Sequence, residues 1–256
     1  GAYVKDLLTG LPLREDTFQD NTRFNEIIDL YLFDKKLRQL MLDAIERIEI
    51  HVRSVIAHEI GRFDPLAYLD TSFINPKILQ DRRNKAGQVV NFWKVWDTKQ
   101  QELVDNSKEE CIVWHKKSGR SVPFWVVIET WDFGIMSKYF ENLKGKYQEK
   151  ICHRLDVPNK KVLAGWLQEI NILRNHCAHH SRIWNRVASN SLAVLDNDYF
   201  KALGLDSEAR KRIYGKICVL WYLVQRIGPN SDWIVRVADL VDSKPTIACC
   251  PYTSMG

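Results

Sequence analysis

Residues 166–186, with the sequence WLQEINILRNHCAHHSRIWNR, constrain the fold of this chain more than any other stretch. They include neither Gly nor Pro, and the apolar residues recur with the period of an α-helix, which predicts one continuous amphipathic helix. The predicted apolar face consists of Leu163, Trp166, Ile170, Leu173, Cys177 and Trp184, and the opposite polar stripe consists of Asn171, Asn175, His179, Arg182 and Arg186. We expect the first face in a core and the second at the surface.

The same periodicity predicts helices along most of the chain. In residues 24–60, apolar side chains alternate at spacings of three and four, which predicts a long helix with one buried face. The other predicted helices cover residues 81–108, 123–143 with an interruption at Gly134, 147–155, 207–227 and 231–242. After residue 186, the amphipathic pattern of the opening stretch continues more weakly to about residue 195. Residues 1–25 suggest loop and turn, and no segment alternates convincingly as a strand. The fold prediction is one all-α domain over residues 1–256.

Composition excludes few partners or cellular locations for the protein. The net charge of +5 permits a phosphate-bearing partner without requiring one. None of the six cysteines forms a C-x-x-C pair, which indicates thiols in a reducing cytoplasm rather than a disulfide framework or a zinc site. No apolar run reaches membrane-spanning length, and no signal peptide is visible. The chain begins without Met, so we expect that an N-terminal segment is missing.

Most familiar catalytic motifs do not occur in the sequence. It has no phosphate-binding glycine loop, no G-x-S-x-G elbow and no H-E-x-x-H motif. His176 and His180 have a spacing that can bind zinc, but no evident third ligand accompanies them, so we expect no metal and no cofactor. The sequence does contain Arg174-Asn175 followed by His179, with His180 and Arg182 beside them.

These residue types suit metal-independent cleavage of RNA. An imidazole can remove the proton of a ribose 2′-OH or protonate the leaving 5′-oxygen, because its usual pKa is near neutral pH. A guanidinium stays charged and can stabilise the pentacoordinate phosphorane. We therefore consider His179 and Arg174 as catalytic candidates, and Asn175 as a residue that positions the phosphate.

Spacing alone leaves a structural interpretation open. Arg53 and His58 show the same Arg-x4-His separation inside a helix that otherwise reads as structural. Residues five apart on a helix also point about 140° away from each other. A hydrogen-bonded structural cluster is thus an alternative to a catalytic site. Likewise, Glu49 and Arg53 form either an ordinary intrahelical ion pair or a support for a site on a neighbouring helix.

Three ordered sequence blocks resemble bacterial abortive-infection proteins of the Abi-D/Abi-F-like group. The block LRNHCAHHSRIWNR resembles the signature of that group, in which L-R-N precedes a small residue, His-His, Arg and Trp-Asn. LYLFDKKLRQLMLDAIERIEIHVRSVIAH at 30–58 resembles an earlier block, and PFWVVIETWDFGIMSKYFENL at 123–143 resembles another. The region between them, about residues 64–122, looks like a variable insert. About fifty residues usually precede the point where this chain begins.

This group is similar to the all-helical HEPN superfamily, and the resemblance has several implications. It implies a HEPN-like helical bundle with additional helices and an endoribonuclease toxin of phage defence, with Arg174 and His179 catalytic and Asn175 beside them. It also implies a homodimer with a composite cleft, and a structured antitoxin RNA as a partner besides substrate RNA. We name His180, Arg182, Glu49 and Arg53 as supporting residues, and Arg186, Lys116 and Lys117 as candidate RNA contacts. The alternative is a non-catalytic HEPN module that binds RNA or a partner protein.

Overall fold

A computed structural model describes residues 3–5, 10, 12–14, 23–83, 86–247 and 251–255 of the chain. The described residues form ten α-helices, which confirms the all-α prediction. These helices are α1 (Phe24–Gly61), α2 (Phe92–Asn106), α3 (Glu110–Lys117), α4 (Phe124–Val127), α5 (Phe133–Asn142), α6 (Gly145–Arg154), α7 (Lys160–Ala178), α8 (Asp198–Leu203), α9 (Ile213–Ile227) and α10 (Trp233–Asp242). Short 3₁₀ turns occur at Thr71–Phe73, Ile128–Thr130, Ala209–Lys211 and Tyr252–Ser254.

The long helix α1 lies at the centre of the architecture. It packs against α6, α7, α9 and α10, and one hydrophobic core runs along its buried face. Two buried tryptophans tie neighbouring elements to this core, because the indole N–H of each donates to a backbone carbonyl. Trp233 donates to Leu40 at 2.7 Å and Trp166 donates to Ala193 at 2.7 Å. In the described residues, no helix is both long and apolar enough to cross a membrane.

Two short antiparallel hairpins are the only sheets among the described residues. Strands β1 (Tyr3–Lys5) and β2 (Pro12–Arg14) pair in a region where the sequence predicted loop and turn. Strands β3 (Asp81–Arg83) and β4 (Val89–Asn91) occupy the start of the predicted helix 81–108, so that prediction is wrong for these residues. Helix α2 begins only at Phe92, because the Asn91 side chain caps it by accepting from the backbone N–H of Lys94 at 3.0 Å.

The predicted continuous helix through Arg186 is also wrong, because α7 ends at Ala178. The chain turns there in a Schellman arrangement: the N–H of His180 donates to Cys177 and that of Ser181 donates to His176. His180 adopts a left-handed backbone conformation with φ of 56°. No helix covers residues 179–195, although Trp184 is buried as its apolar pattern predicted.

The interruption that the sequence suggested at Gly134 lies slightly earlier. Asp132 caps α5 by accepting from the N–H of Ile135 at 2.8 Å, and Gly134 is already inside this helix. A Cβ at Gly134 would lie 3.1 Å from the Asp132 carboxylate and 3.3 Å from the Asn171 amide. Glycine is needed here because α7 approaches α5 closely, and the helix is not broken at this residue.

Candidate functional site

Three segments meet beside the predicted motif: the middle of α1, the connection from α4 to α5, and the second half of α7. Arg53 of α1 joins the first two. Its guanidinium donates to Glu49 at 2.7 Å, to Glu129 at 3.2 Å and to the carbonyl of Trp131 at 3.1 Å. With only 14% of its side chain exposed, Arg53 is a rigid bridge rather than a solvated surface charge.

Glu49 connects this bridge to the motif helix. Burial raises the pKa of Glu49 above its usual range, while the positive charges of Arg53 and Arg174 counteract part of that rise. The structure therefore brings Glu49, Arg53 and Arg174 together, as expected if the first two support the third. The carboxylates of Asp132 and Glu46 also act on Glu49 and raise its pKa.

Arg174 and Asn175 lie in the last turns of α7. The guanidinium of Arg174 donates to the side-chain oxygen of Asn175 at 3.4 Å, and the backbone carbonyl of Asn175 accepts from the N–H of His179 at 2.9 Å. His179 is the C-cap of the helix, and both His179 and His180 expose their side chains. Within the described part of one chain, no hydrogen bond or ion pair links the side chains of Arg174 and His179. A guanidinium, the amide that it contacts and two exposed imidazoles thus lie near the end of this helix.

A buried carboxylate that the sequence reasoning missed fixes the chain after this turn. Asp34 of α1 accepts from the backbone N–H groups of Ile183 and Trp184, each at 3.0 Å. Its other oxygen pairs with Arg38, and both side chains are almost fully buried. The sequence signal was available, because Asp34 and Arg38 stand four residues apart within the block at 30–58. We call Asp34 and Arg38 the α1 clamp.

The remaining predicted residues lie in different places. Arg182 stacks over the ring of Trp184 at 5.9 Å and lines a shallow cavity with His180 and the α1 clamp. Arg186 lies on the opposite flank of α7, close to His176. Lys116 of α3 donates to the carbonyl of Val104 at 2.8 Å, and Lys117 is exposed beside it. Of the candidate RNA contacts, Arg186 thus lies away from Arg174 on α7, and Lys116 and Lys117 belong to α3.

Metal-ligating side chains are not clustered in the described residues. There, no group of three or more His, Cys, Asp or Glu side chains could hold a metal ion. His176 and His180, which the sequence spacing grouped, are separated by the end of α7, since His180 follows the C-cap in a left-handed conformation. Cys177 is buried, as its place on the apolar face predicted, and Cys249 and Cys250 lie outside the described residues.

Comparison with known proteins gives one match. Residues 1–185 match the family described as Abi-like protein, and the chain belongs to this family. The match confirms the resemblance to abortive-infection proteins and associates the chain with phage defence. It includes all three sequence blocks up to Asn185, and leaves α8–α10 outside. No curated protein and no solved structure matches the chain.

Proposed function

We propose that the chain is a metal-independent endoribonuclease that acts in phage defence. The observation that carries this proposal is the end of α7, where Arg174, Asn175 and His179 share one exposed turn. Behind them, the largely buried Glu49–Arg53 ion pair lies near enough for the Glu49 carboxylate to interact electrostatically with Arg174. The Arg174 side chain is half-buried, which leaves part of it available to a phosphate.

Each residue has a role that follows from its chemistry. His179 transfers the proton of the attacking 2′-OH or delivers one to the departing 5′-oxygen. Arg174 stabilises the charge that develops on the phosphorane, and Asn175 positions the phosphate through its amide. The products are a 2′,3′-cyclic phosphate and a 5′-hydroxyl end. His180 and Arg182 contact the flanking backbone.

A homodimer would complete the site. Arg174 and His179 lie about 140° apart around α7, so one helix alone does not aim both side chains at one phosphate. In a symmetric pair of α7 helices, His179 of one chain can act beside Arg174 of the other. The same exposed turns would also bind a structured antitoxin RNA.

Mixing two inactive variants tests this composite arrangement. A dimer of one Arg174→Ala chain and one His179→Ala chain contains one site with both native residues. When the two variants are mixed in equal amounts and their chains exchange at random, half of the dimers are mixed dimers with one intact site of two. The mixture should therefore recover about a quarter of wild-type cleavage. If the mixture recovers no RNA cleavage, the result would contradict a site built from residues of two chains.

A non-catalytic module that binds RNA or a partner protein is the second candidate. The observation favouring it is that His179 is exposed and, among the described residues, no side-chain partner fixes its imidazole. Such a module would bind RNA through Arg174 and Asn175 and leave it intact.

Cleavage by matched variants separates the two candidates. Total RNA in EDTA is incubated separately with wild type, Arg174→Ala, His179→Ala and His58→Ala. We expect a loss of about two to four orders of magnitude for the first two substitutions, because each removes transition-state charge or proton transfer. His58 is the matched control, since it has the same spacing from Arg53 but lies exposed beside Glu59. RNA that binds wild type but is never cut would favour the binding module.

A further inference from the structure

A cavity of about 270 Å³ lies on the flank of α7 that faces away from Arg174. Glu169, Ile172 and His176, which follow one another at helical spacing, form one wall. The first turn of α9 and the segment 186–190 form the others. Arg174 and His176 are two positions apart, so their side chains leave the helix about 160° apart. The cavity is therefore separate from the candidate site for RNA cleavage.

The charges around this cavity favour an anion. Lys216 pairs with Glu169 at 3.0 Å, and both side chains are largely buried, with 12% and 17% exposed. Arg186 also lines the cavity, and within the described residues no ion pair or hydrogen bond holds its guanidinium. Two positive charges thus face one negative charge. A ligand carrying negative charge would balance them.

His176 contributes a second, independent feature. Its Nδ1 atom is buried and has no hydrogen-bond partner among the described residues, an arrangement that costs stability unless a partner is supplied. Burial lowers the pKa of His176, and the nearby charges of Arg186 and Lys216 lower it further. The ring of His176 therefore lines the cavity, while its unsatisfied Nδ1 atom lies beneath the surface.

The start of α9 forms one wall through Ile213 and Lys216. This helix start is fixed from the other side, because the carbonyl of Met255 accepts from the N–H of Tyr214 at 3.0 Å. The opposite wall is held in place because the N–H of Ala188 donates to the carbonyl of Lys211 at 2.8 Å. The cavity is thus a fixed feature of the fold.

We propose that this cavity binds a phosphate monoester no larger than one nucleotide. Arg186 and Lys216 would hold the phosphate, and the ring of His176 would contact the ligand. Ile172, Val187 and Ile213 provide an apolar surface for the group attached to the phosphate. The size follows from the volume, which is slightly below the usual range of about 300–1,000 Å³ for small-molecule sites. The proposal does not depend on RNA cleavage.

Calorimetric titration of the full chain with AMP, inorganic phosphate and adenosine tests the proposal. We expect AMP to bind with a dissociation constant below about 1 mM, and both phosphate and adenosine to bind more weakly. Arg186→Gln should weaken AMP binding by about 10- to 100-fold, because it removes a charged hydrogen bond. Arg154→Gln is the control, because Arg154 lies on α6, is 56% exposed and does not line this cavity, and it should change binding less than about 2-fold.

Several results would overturn the proposal. These are no AMP binding at millimolar concentration, adenosine or phosphate binding as tightly as AMP, or equal losses in Arg186→Gln and Arg154→Gln. As a second readout, the pKa of the His176 imidazole, followed by NMR, should rise when AMP binds, and an unchanged value would contradict the site. A 5′-phosphorylated trinucleotide distinguishes the source of the ligand: tighter binding than AMP indicates an RNA end, and weaker binding a free nucleotide.

Discussion

Removing the carboxylate of the α1 clamp should destabilise the fold and release the turn that carries His179. In Asp34→Ala, the N–H groups of Ile183 and Trp184 lose their acceptor, and Arg38 keeps a charge that is almost fully buried. Each buried unsatisfied group costs about 1–3 kcal/mol, and breaking a buried ion pair costs about 3–5 kcal/mol. Because these effects overlap, we expect the free energy of unfolding to fall by about 3–5 kcal/mol.

Urea denaturation of matched variants measures this loss. Asp43→Ala is the control, because Asp43 lies on the same helix and pairs with Arg47 at 3.1 Å and with Arg236 at 2.6 Å, but its side chain is 33% exposed. Each of these partly exposed pairs should contribute at most about 1 kcal/mol, so the loss should stay below that of Asp34→Ala. Asp34→Asn should lose less than Asp34→Ala, since its amide oxygen can still accept from the backbone.

Hydrogen exchange locates the effect. The amides of Ile183 and Trp184 should exchange faster in Asp34→Ala than the change in global stability alone explains. Equal losses of stability in Asp34→Ala and Asp43→Ala, or unchanged relative protection at Ile183 and Trp184, would refute the assignment of Asp34 as the anchor of this turn.

Three further predictions concern the neighbourhood of the motif. Arg53→Met should lower the free energy of unfolding, measured in urea, by about 1.5–3 kcal/mol, because a largely buried charged donor is lost. Its partner Glu129 is 63% exposed, so Glu129→Gln should lower the free energy of unfolding by less than about 1 kcal/mol. His180→Gly should leave thermal stability unchanged or raise it by up to about 1 kcal/mol, and His180→Val should lower it, since φ is 56°. Folding lowers the pKa of His176. As pH falls, the unfolded chain therefore takes up a proton at this residue before the folded chain does, and stability should fall below pH 6.5. His176→Gln should reduce this acid dependence in unfolding curves measured between pH 7 and about pH 5.

The sequence predicted α1 and α10 well because their pattern is local. In α1, the buried residues follow the spacing of three and four that was read from the sequence, and α10 lies within the predicted range. The Glu49–Arg53 pair was likewise visible from spacing alone. The other two partners of Arg53, Glu129 and the carbonyl of Trp131, come from 76 and 78 residues away, so they could not be inferred from a local pattern.

The end of α7 shows where local reasoning fails. Nothing between Ala178 and Arg186 is a strong helix breaker, and the amphipathic period continues through it. The chain nevertheless leaves the helix, since Asp34, 149 residues earlier, binds the backbone of Ile183. A buried acceptor of two backbone N–H groups outweighs the small preference for continuing a helix. The polar stripe that the sequence predicted thus divides, with Asn171 and Asn175 on the helix and the later members beyond it.

The chemistry at the 3′ end of the cleaved RNA tests the central claim most directly. A defined oligonucleotide is incubated with wild type in EDTA, and the product masses are compared with those from a copy carrying 2′-deoxyribose at the cleavage position. Transesterification requires the 2′-OH, so we expect 2′,3′-cyclic phosphate ends on the first substrate, no cleavage at that position on the second, and no products from His179→Ala. Products ending in a 3′-hydroxyl, or equal cleavage of the deoxy substrate, would contradict the proposed reaction.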